Sequence, residues 1–250
     1  MNKLHNGIDL YLTGDLYAAA KVLKEHINEG GPSAGTAYYH LGMIYCDRQK
    51  LTEACEYFTK AVELEPDKSM YHYRLGVVYS RLMMLDFAIK ELQRSIDLNP
   101  EHQRSRFILG TIHFQQGDME KAYEVFTALI KTSPDFADAY YHRGLTLYHM
   151  GNNDLCRADF EKALELNPNY DEARSRLALM YLNSKDYDKS SLLYMQIYNN
   201  GARDCVFLQH LVKSLIFAGD LDKAGEIVSE ALILYPHNPE LQKLSEMKGS

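Results

Sequence analysis

At 250 residues the chain has room for one large domain or two small ones. Hydrophobic residues make up 46% and charged residues 24%, and a formal net charge of −7 argues against nonspecific nucleic-acid binding. No apolar run approaches the ~20 residues a membrane span needs, and the opening MNKLHNGIDL lacks the apolar core of a secretory signal.

The first 34 residues read as two helices, the opening one short, with Gly7, Leu10, Ala19 and Leu23 on their inner sides and a Gly14-Asp15 turn between them. The stretch GGPSAG then absorbs a one-residue shift. Residues 35–68 carry a clearer pair. TAYYHLGMIYCDRQ has apolar residues at helical spacing, the pattern breaks near Lys50, and LTEACEYFTKAVELEP resumes it with Ala54, Tyr57, Phe58, Ala61, Val62 and Leu64. Pro66 ends that second helix, because proline disfavours helical geometry in the residue before it. The same paired pattern returns over 69–102, 103–136 and 137–170, weakens over 171–204, and recovers over 205–238. PELQKLSEMKGS, at 239–250, reads as a short polar closing helix. Gly117-Asp118, Gly151-Asn152 and Gly219-Asp220 repeat the first turn signal, with glycine free to take positive φ and the next residue placed to cap a helix.

Four ladders hold these pairs in one register of 34 residues. Glycine recurs at 42, 76, 110 and 144, preceded by Leu41, Leu75, Leu109 and then Arg143. Proline recurs at 66, 100, 134 and 168, and again at 236. A small ladder runs Ala54, Ala88, Ala122, Cys156, Ser190, Ala224, and a large one Phe58, Leu92, Phe126, Phe160, Tyr194, Val228. Glycine inside a helix costs roughly 1 kcal/mol against alanine, so Gly42 predicts a close approach of two helix backbones, with Ala54 opposite and Phe58, Leu41 and Tyr45 filling the space around the crossing. The weak unit departs at three of the four ladders: Ala178 stands for glycine, Ser190 for alanine and Ala202 for proline, while Val212 takes the glycine place in the next unit.

The pattern resembles the tetratricopeptide repeat family, whose 34-residue unit carries W-x2-L-G-x2-Y, then A-x3-F, A and P. Residues 35–68 match with Tyr38 for the tryptophan, then Leu41, Gly42, Tyr45, Ala54, Phe58, Ala61 and Pro66. The resemblance covers essentially the whole chain as about seven units, 1–34, 35–68, 69–102, 103–136, 137–170, 171–204 and 205–238, with 239–250 as the closing helix of one continuous domain. It implies an all-α fold, a right-handed superhelix of antiparallel helix pairs. First helices would line a concave face that holds an extended or helical peptide of a partner protein, and the fifth residue of each unit would point inward.

Those inward residues are Tyr39, Tyr73, Phe107 and Tyr141, followed by Ser175 and Gln209. One step on lie His40, Arg74, His142 and Arg176; a turn further come Met43, Val77 and Leu145, with Phe114 and Tyr148 beyond and Arg104 nearby. Together they form an aromatic and apolar floor with interspersed cations, suited to an acidic or apolar segment. Two plainer readings stand beside that one. The rings equally serve to pad adjacent helices, and Arg74, Arg104 and Arg176 equally serve as solvated charges or as partners of Asp138 and Glu172. Family members that grip a chaperone's terminal carboxylate need an inward asparagine where this chain has Ile8, Met43 and Val77, which argues against that subtype.

Nothing in the sequence supports catalysis: G-x-x-x-x-G-K-[ST], G-x-G-x-x-G and H-E-x-x-H are all missing. His142 and His149 are seven residues apart on one helix, about 10 Å in rise, too far to share a metal; His113 replaces a core aromatic and reads as packed. Neither a cofactor nor a metal is expected. Four cysteines (Cys46, Cys55, Cys156, Cys205) lack zinc or C-x-x-C spacing, so a reduced, cytoplasmic protein is expected, with Cys46 near the groove and Cys156 buried. Three readings remain: a noncatalytic adaptor, a scaffold that assembles with itself as a homo-oligomer, and a regulatory subunit of an enzyme. The weak unit at 171–204 also reads as a hinge.

Overall fold

The computed structural model describes residues 2–247, and the regular structure among them is helical throughout. The helices run in pairs. α1 (Lys3–Leu12) pairs with α2 (Leu16–Asn28), α3 (Ala34–Asp47) with α4 (Leu51–Leu64), α5 (Ser69–Arg81) with α6 (Leu85–Leu98), and α7 (Gln103–Gln115) with α8 (Met119–Thr132). Then α9 (Ala137–His149) pairs with α10 (Asn153–Leu166), α11 (Asp171–Asn183) with α12 (Tyr187–Asn199), and α13 (Cys205–Ala218) with α14 (Leu221–Leu234); α15 (Pro239–Met247) follows. Two compact lobes result, Met1–Pro134 and Asp135–Ser250. Residue 1 of the predicted first unit and residues 248–250 of the predicted closing element lie outside the described residues. No described helix is long and apolar enough to cross a membrane.

The glycine ladder closes the pairs, through side chains more than through backbone. A Cβ placed on Gly42 would sit 2.7 Å from the Phe58 ring; on Gly110, 2.7 Å from Phe126; on Gly144, 2.8 Å from Phe160. The large residue of the second helix therefore lies directly over the glycine of the first. At Gly76, beside Leu92, a backbone atom is also near, the Ala88 carbonyl at 3.3 Å. Ala54, Ala88, Ala122, Phe58 and Phe126 are fully buried, so each crossing is close-packed on both sides.

The turn glycines 14, 117, 151 and 219 have φ between 78° and 89°, and Asp15, Asp118 and Asp220 each accept a backbone N–H of the next helix. Asn152 makes no such side-chain cap. Gln49, Met83 and Lys185 hold the same turn place at φ 59°, 60° and 65°, a conformation that costs a side-chain-bearing residue roughly 1–2 kcal/mol.

The weak unit is well packed. Ala178, Leu182, Tyr194 and Ile197 share one apolar core with Phe207, Leu211 and Val228 of the following pair and with Leu241 of α15. Ser190 keeps its place in the small ladder because its hydroxyl donates to the Ala178 carbonyl at 2.9 Å and meets the Ser214 hydroxyl at 2.8 Å. That continuity gives no support to the expected hinge over 171–204.

Two clasps between successive pairs went unread in the sequence. His72 Nε2 donates to the Pro66 carbonyl at 2.9 Å while its Nδ1 meets Glu91 at 2.6 Å. Arg174 donates to the Pro168 carbonyl and to Asp171. Both side chains stand six residues after the proline, so each returns to the carbonyl that the helix stop leaves unpaired.

Candidate binding surface

In the N-terminal lobe the predicted floor residues divide into packed rings and reachable side chains. Tyr39 stacks on Tyr71 of α5 with centroids 4.8 Å apart and lies 5.8 Å from Phe58 of α4, so it is wedged among three helices. Tyr73, expected in the groove, is only 7% exposed. Its ring lies 4.8 Å from His102 at the start of α7, because the next pair covers it. Phe107 packs 6.2 Å from Phe126, and Phe114 is half-buried. Tyr39, Tyr73 and Phe107 thus each make a ring contact with a neighbouring helix or its first turn.

The reachable part is a cavity of about 310 Å³ between α3 and α5. Met43, Val77 and Phe58 form its apolar wall, and Arg74, Arg81, Asp47 and Gln49 its polar one. Arg74 leans over the Tyr73 ring at 5.5 Å, and its buried Nε has no hydrogen-bond partner, nor has Nδ1 of neighbouring His40. Asp47 accepts from the Tyr11 hydroxyl at 3.0 Å, and burial together with that carboxylate pushes the Tyr11 phenol up to about 12. Arg81 Nη2 donates to Gln49 Oε1 at 2.8 Å. Cys46 also lines the cavity, with burial raising its thiol pKa, which disfavours a reactive thiolate. Arg104 is exposed at the start of α7 and lines neither this cavity nor those below. Sequence reasoning missed Asp47 and Arg81, although they are 34 residues apart and one turn beyond Met43 and Val77.

In the C-terminal lobe Tyr141 lies 4.9 Å from Tyr170 and 5.8 Å from Phe160. It joins Arg176 in lining a cavity of about 440 Å³ with Leu179, Phe207, Glu172 and Asp204. Tyr148, 45% exposed, opens on a second cavity of about 630 Å³ with Met180, Tyr181 and Arg157. His142 and Leu145 are half-buried. The charges differ between lobes. α3, α5 and α7 together carry four arginines (74, 81, 104, 106) and a single acid, Asp47, whereas the 440 Å³ cavity carries Asp171, Glu172 and Asp204.

Among the described residues no group of three His, Cys, Asp or Glu is placed to hold a metal. Cys156 is buried against Met180, and its thiol is raised to about 11. Burial keeps His40, His102, His113, His142 and His210 below the ordinary 6.5, and at His102 the Arg104 and Arg74 charges add to it. Each is easier to protonate unfolded, so the stability it supports is present above about pH 6.5 and is lost as pH falls through the depressed folded values. The melting temperature is therefore expected to drop between about pH 7 and pH 5, with uptake of more than one proton on unfolding; a flat profile would contradict the burial of these imidazoles.

Comparison with known proteins places this architecture. Tetratricopeptide repeat models match residues 35–68, 137–170 and 160–190, and a TPR repeat model matches residues 110–151. Among curated proteins no significant match was found. Among solved structures, Pseudomonas aeruginosa PilF is similar with TM-score 0.71 at 22% identity over 85% of this chain and 96% of its own. A tetratricopeptide repeat protein from Parabacteroides merdae gives 0.70 at 16% over 99% and 98%. YrrB, described as a TPR protein with an unusual peptide-binding site, gives 0.62 at 27% over 68% and 88%. With the helix pairs and their glycine crossings, these matches identify the chain as a member of the tetratricopeptide repeat family.

Proposed function

We propose that the chain is a noncatalytic adaptor, an array of seven 34-residue repeats whose first-helix face holds a peptide or helical segment of a partner protein. The observation that carries this reading is the cavity between α3 and α5, lined by Met43, Val77 and Phe58 on the apolar side and by Arg74, Arg81 and Asp47 on the polar side. An apolar recess with a few convergent polar groups is the common form of a binding site. The peptide-binding site named for YrrB supports the same use of the fold. The partner segment is acidic and apolar in character, to match the arginines on α5 and α7. Self-assembly is the second reading, favoured by Met83, Met84 and Phe87, which stand exposed together at the α5–α6 turn.

The test is a quantitative pull-down from native lysate with three baits of checked helicity. These are the wild type, a Met43→Glu/Val77→Glu variant, and a Glu56→Lys/Lys60→Glu control on the α4 surface. Loss of a partner by the first variant alone supports the adaptor. Identical recovery by all three removes the groove from the function, and recovery of the chain itself shifts the reading to assembly.

A further inference from the structure

The α3–α5 cavity brings three polar features together. Arg74 Nε is buried and unpaired, and an ionised donor left without an acceptor costs more than a neutral one. Asp47 lines the same space and is held by Tyr11 through Oδ2. Gln49 keeps a side chain at φ 59°, where Gly14, Gly117, Gly151 and Gly219 hold the corresponding turns without a Cβ. Met83 and Lys185 hold the same conformation at their own turns, and the Gln49 side chain accepts from Arg81, which also lines the cavity.

Resting on the adaptor reading, we infer that this cavity selects one internal acidic side chain of the partner, flanked by an aliphatic residue, and rejects a second adjacent carboxylate. The single acid lies beside the Arg74 guanidinium that lines the cavity. The aliphatic neighbour lies on Met43 and Val77. Asp47 sets the specificity. A fixed carboxylate in a space of about 310 Å³ repels a second anion at short range while accepting a backbone N–H of the bound segment. A chain terminus that ends in an acidic residue brings two carboxylates together and is disfavoured for the same reason. The four arginines against one acid on α3, α5 and α7 give the attraction its sign.

The experiment is selection of a randomised peptide library, displayed with both ends joined to a carrier protein, on the intact chain and on three variants. Wild type is expected to enrich a lone Asp or Glu beside Leu, Ile or Val. Changing that acid to its amide in a selected peptide should weaken binding at least about tenfold. Arg74→Met keeps an unbranched side chain but removes the guanidinium, and should erase the preference for an acid. Asp47→Asn keeps an acceptor for Tyr11 and should admit adjacent acidic pairs, and it serves if Arg74→Met fails to fold. Wild-type selection without acid enrichment overturns the inference, as does enrichment unchanged in Arg74→Met, or adjacent acids equally frequent on wild type and Asp47→Asn. If selected peptides ignore Arg74 yet are lost in Met43→Glu/Val77→Glu, the inference falls and the adaptor reading stands. If no peptide is selected, both fall.

Discussion

Replacing Gly42 with alanine is expected to destabilise the protein by about 1–2 kcal/mol, although alanine is the better helix former. The helix gain is up to about 1 kcal/mol. Against it stands the Phe58 ring, with three atoms 2.7–2.8 Å from the new Cβ, and overpacking of a close-packed site costs roughly 1–3 kcal/mol. The ring is fully buried, and turning away from the new Cβ would carry it into the cavity it lines. Valine should be worse still. The chain itself supplies the rescue, because the last pair uses Val212 and Val228 at the two facing places, and both are buried there. Gly42→Val/Phe58→Val should therefore recover much of the loss of Gly42→Val in urea unfolding. A neutral Gly42→Ala, or a double variant whose losses simply add, would refute the ring-over-glycine account.

The pairing of helices was legible because each ladder position meets a position in the same unit, so a fixed offset in sequence is a fixed contact in space. Gly42 with Phe58 and Gly144 with Phe160 are both 16 apart. Even so, the sequence pointed to backbone approach where the structure shows a side chain, since spacing tells which faces meet but not which atoms fill the gap. The binding surface was less legible for a related reason. Position within a unit says that Tyr73 faces inward, but its exposure depends on how the next pair lies over it, and His102 at the start of α7 closes that view. Met43, Arg74 and Val77, expected on the same inward face, do line the α3–α5 cavity. Asp47 and Gln49 were missed because they sit at a helix end and a turn, where a periodic reading stops. The division after Pro134 has no sequence mark either; that proline belongs to the same ladder as the others.

Asp159→Ala is expected to destabilise the C-terminal lobe by roughly 2–4 kcal/mol, read as a lower urea midpoint at unchanged slope. Arg143 stands where Leu41, Leu75 and Leu109 stand in the earlier pairs, and the sequence alone left that departure without a reason. The structure supplies Asp159, 16 residues on and 7% exposed, which accepts from Arg143 Nε at 2.8 Å and Nη2 at 2.7 Å. Removing the carboxylate leaves a guanidinium desolvated without its fork partner; because Arg143 retains 19% exposure, the cost stays below the full-burial range. The pair need not contribute net stability, since two charges lost water to form it. The corresponding places one lobe earlier are Leu109 and Val125, packed without any ion pair. Arg143→Leu/Asp159→Val should thus be neutral or stabilising by about 1–2 kcal/mol, with net charge unchanged. If the double variant were as unstable as Asp159→Ala, the ion pair would be contributing stability that apolar packing cannot replace. If Asp159→Ala cost less than about half a kcal/mol, the two groups would be solvated and independent, and the departure from leucine at 143 would need another cause.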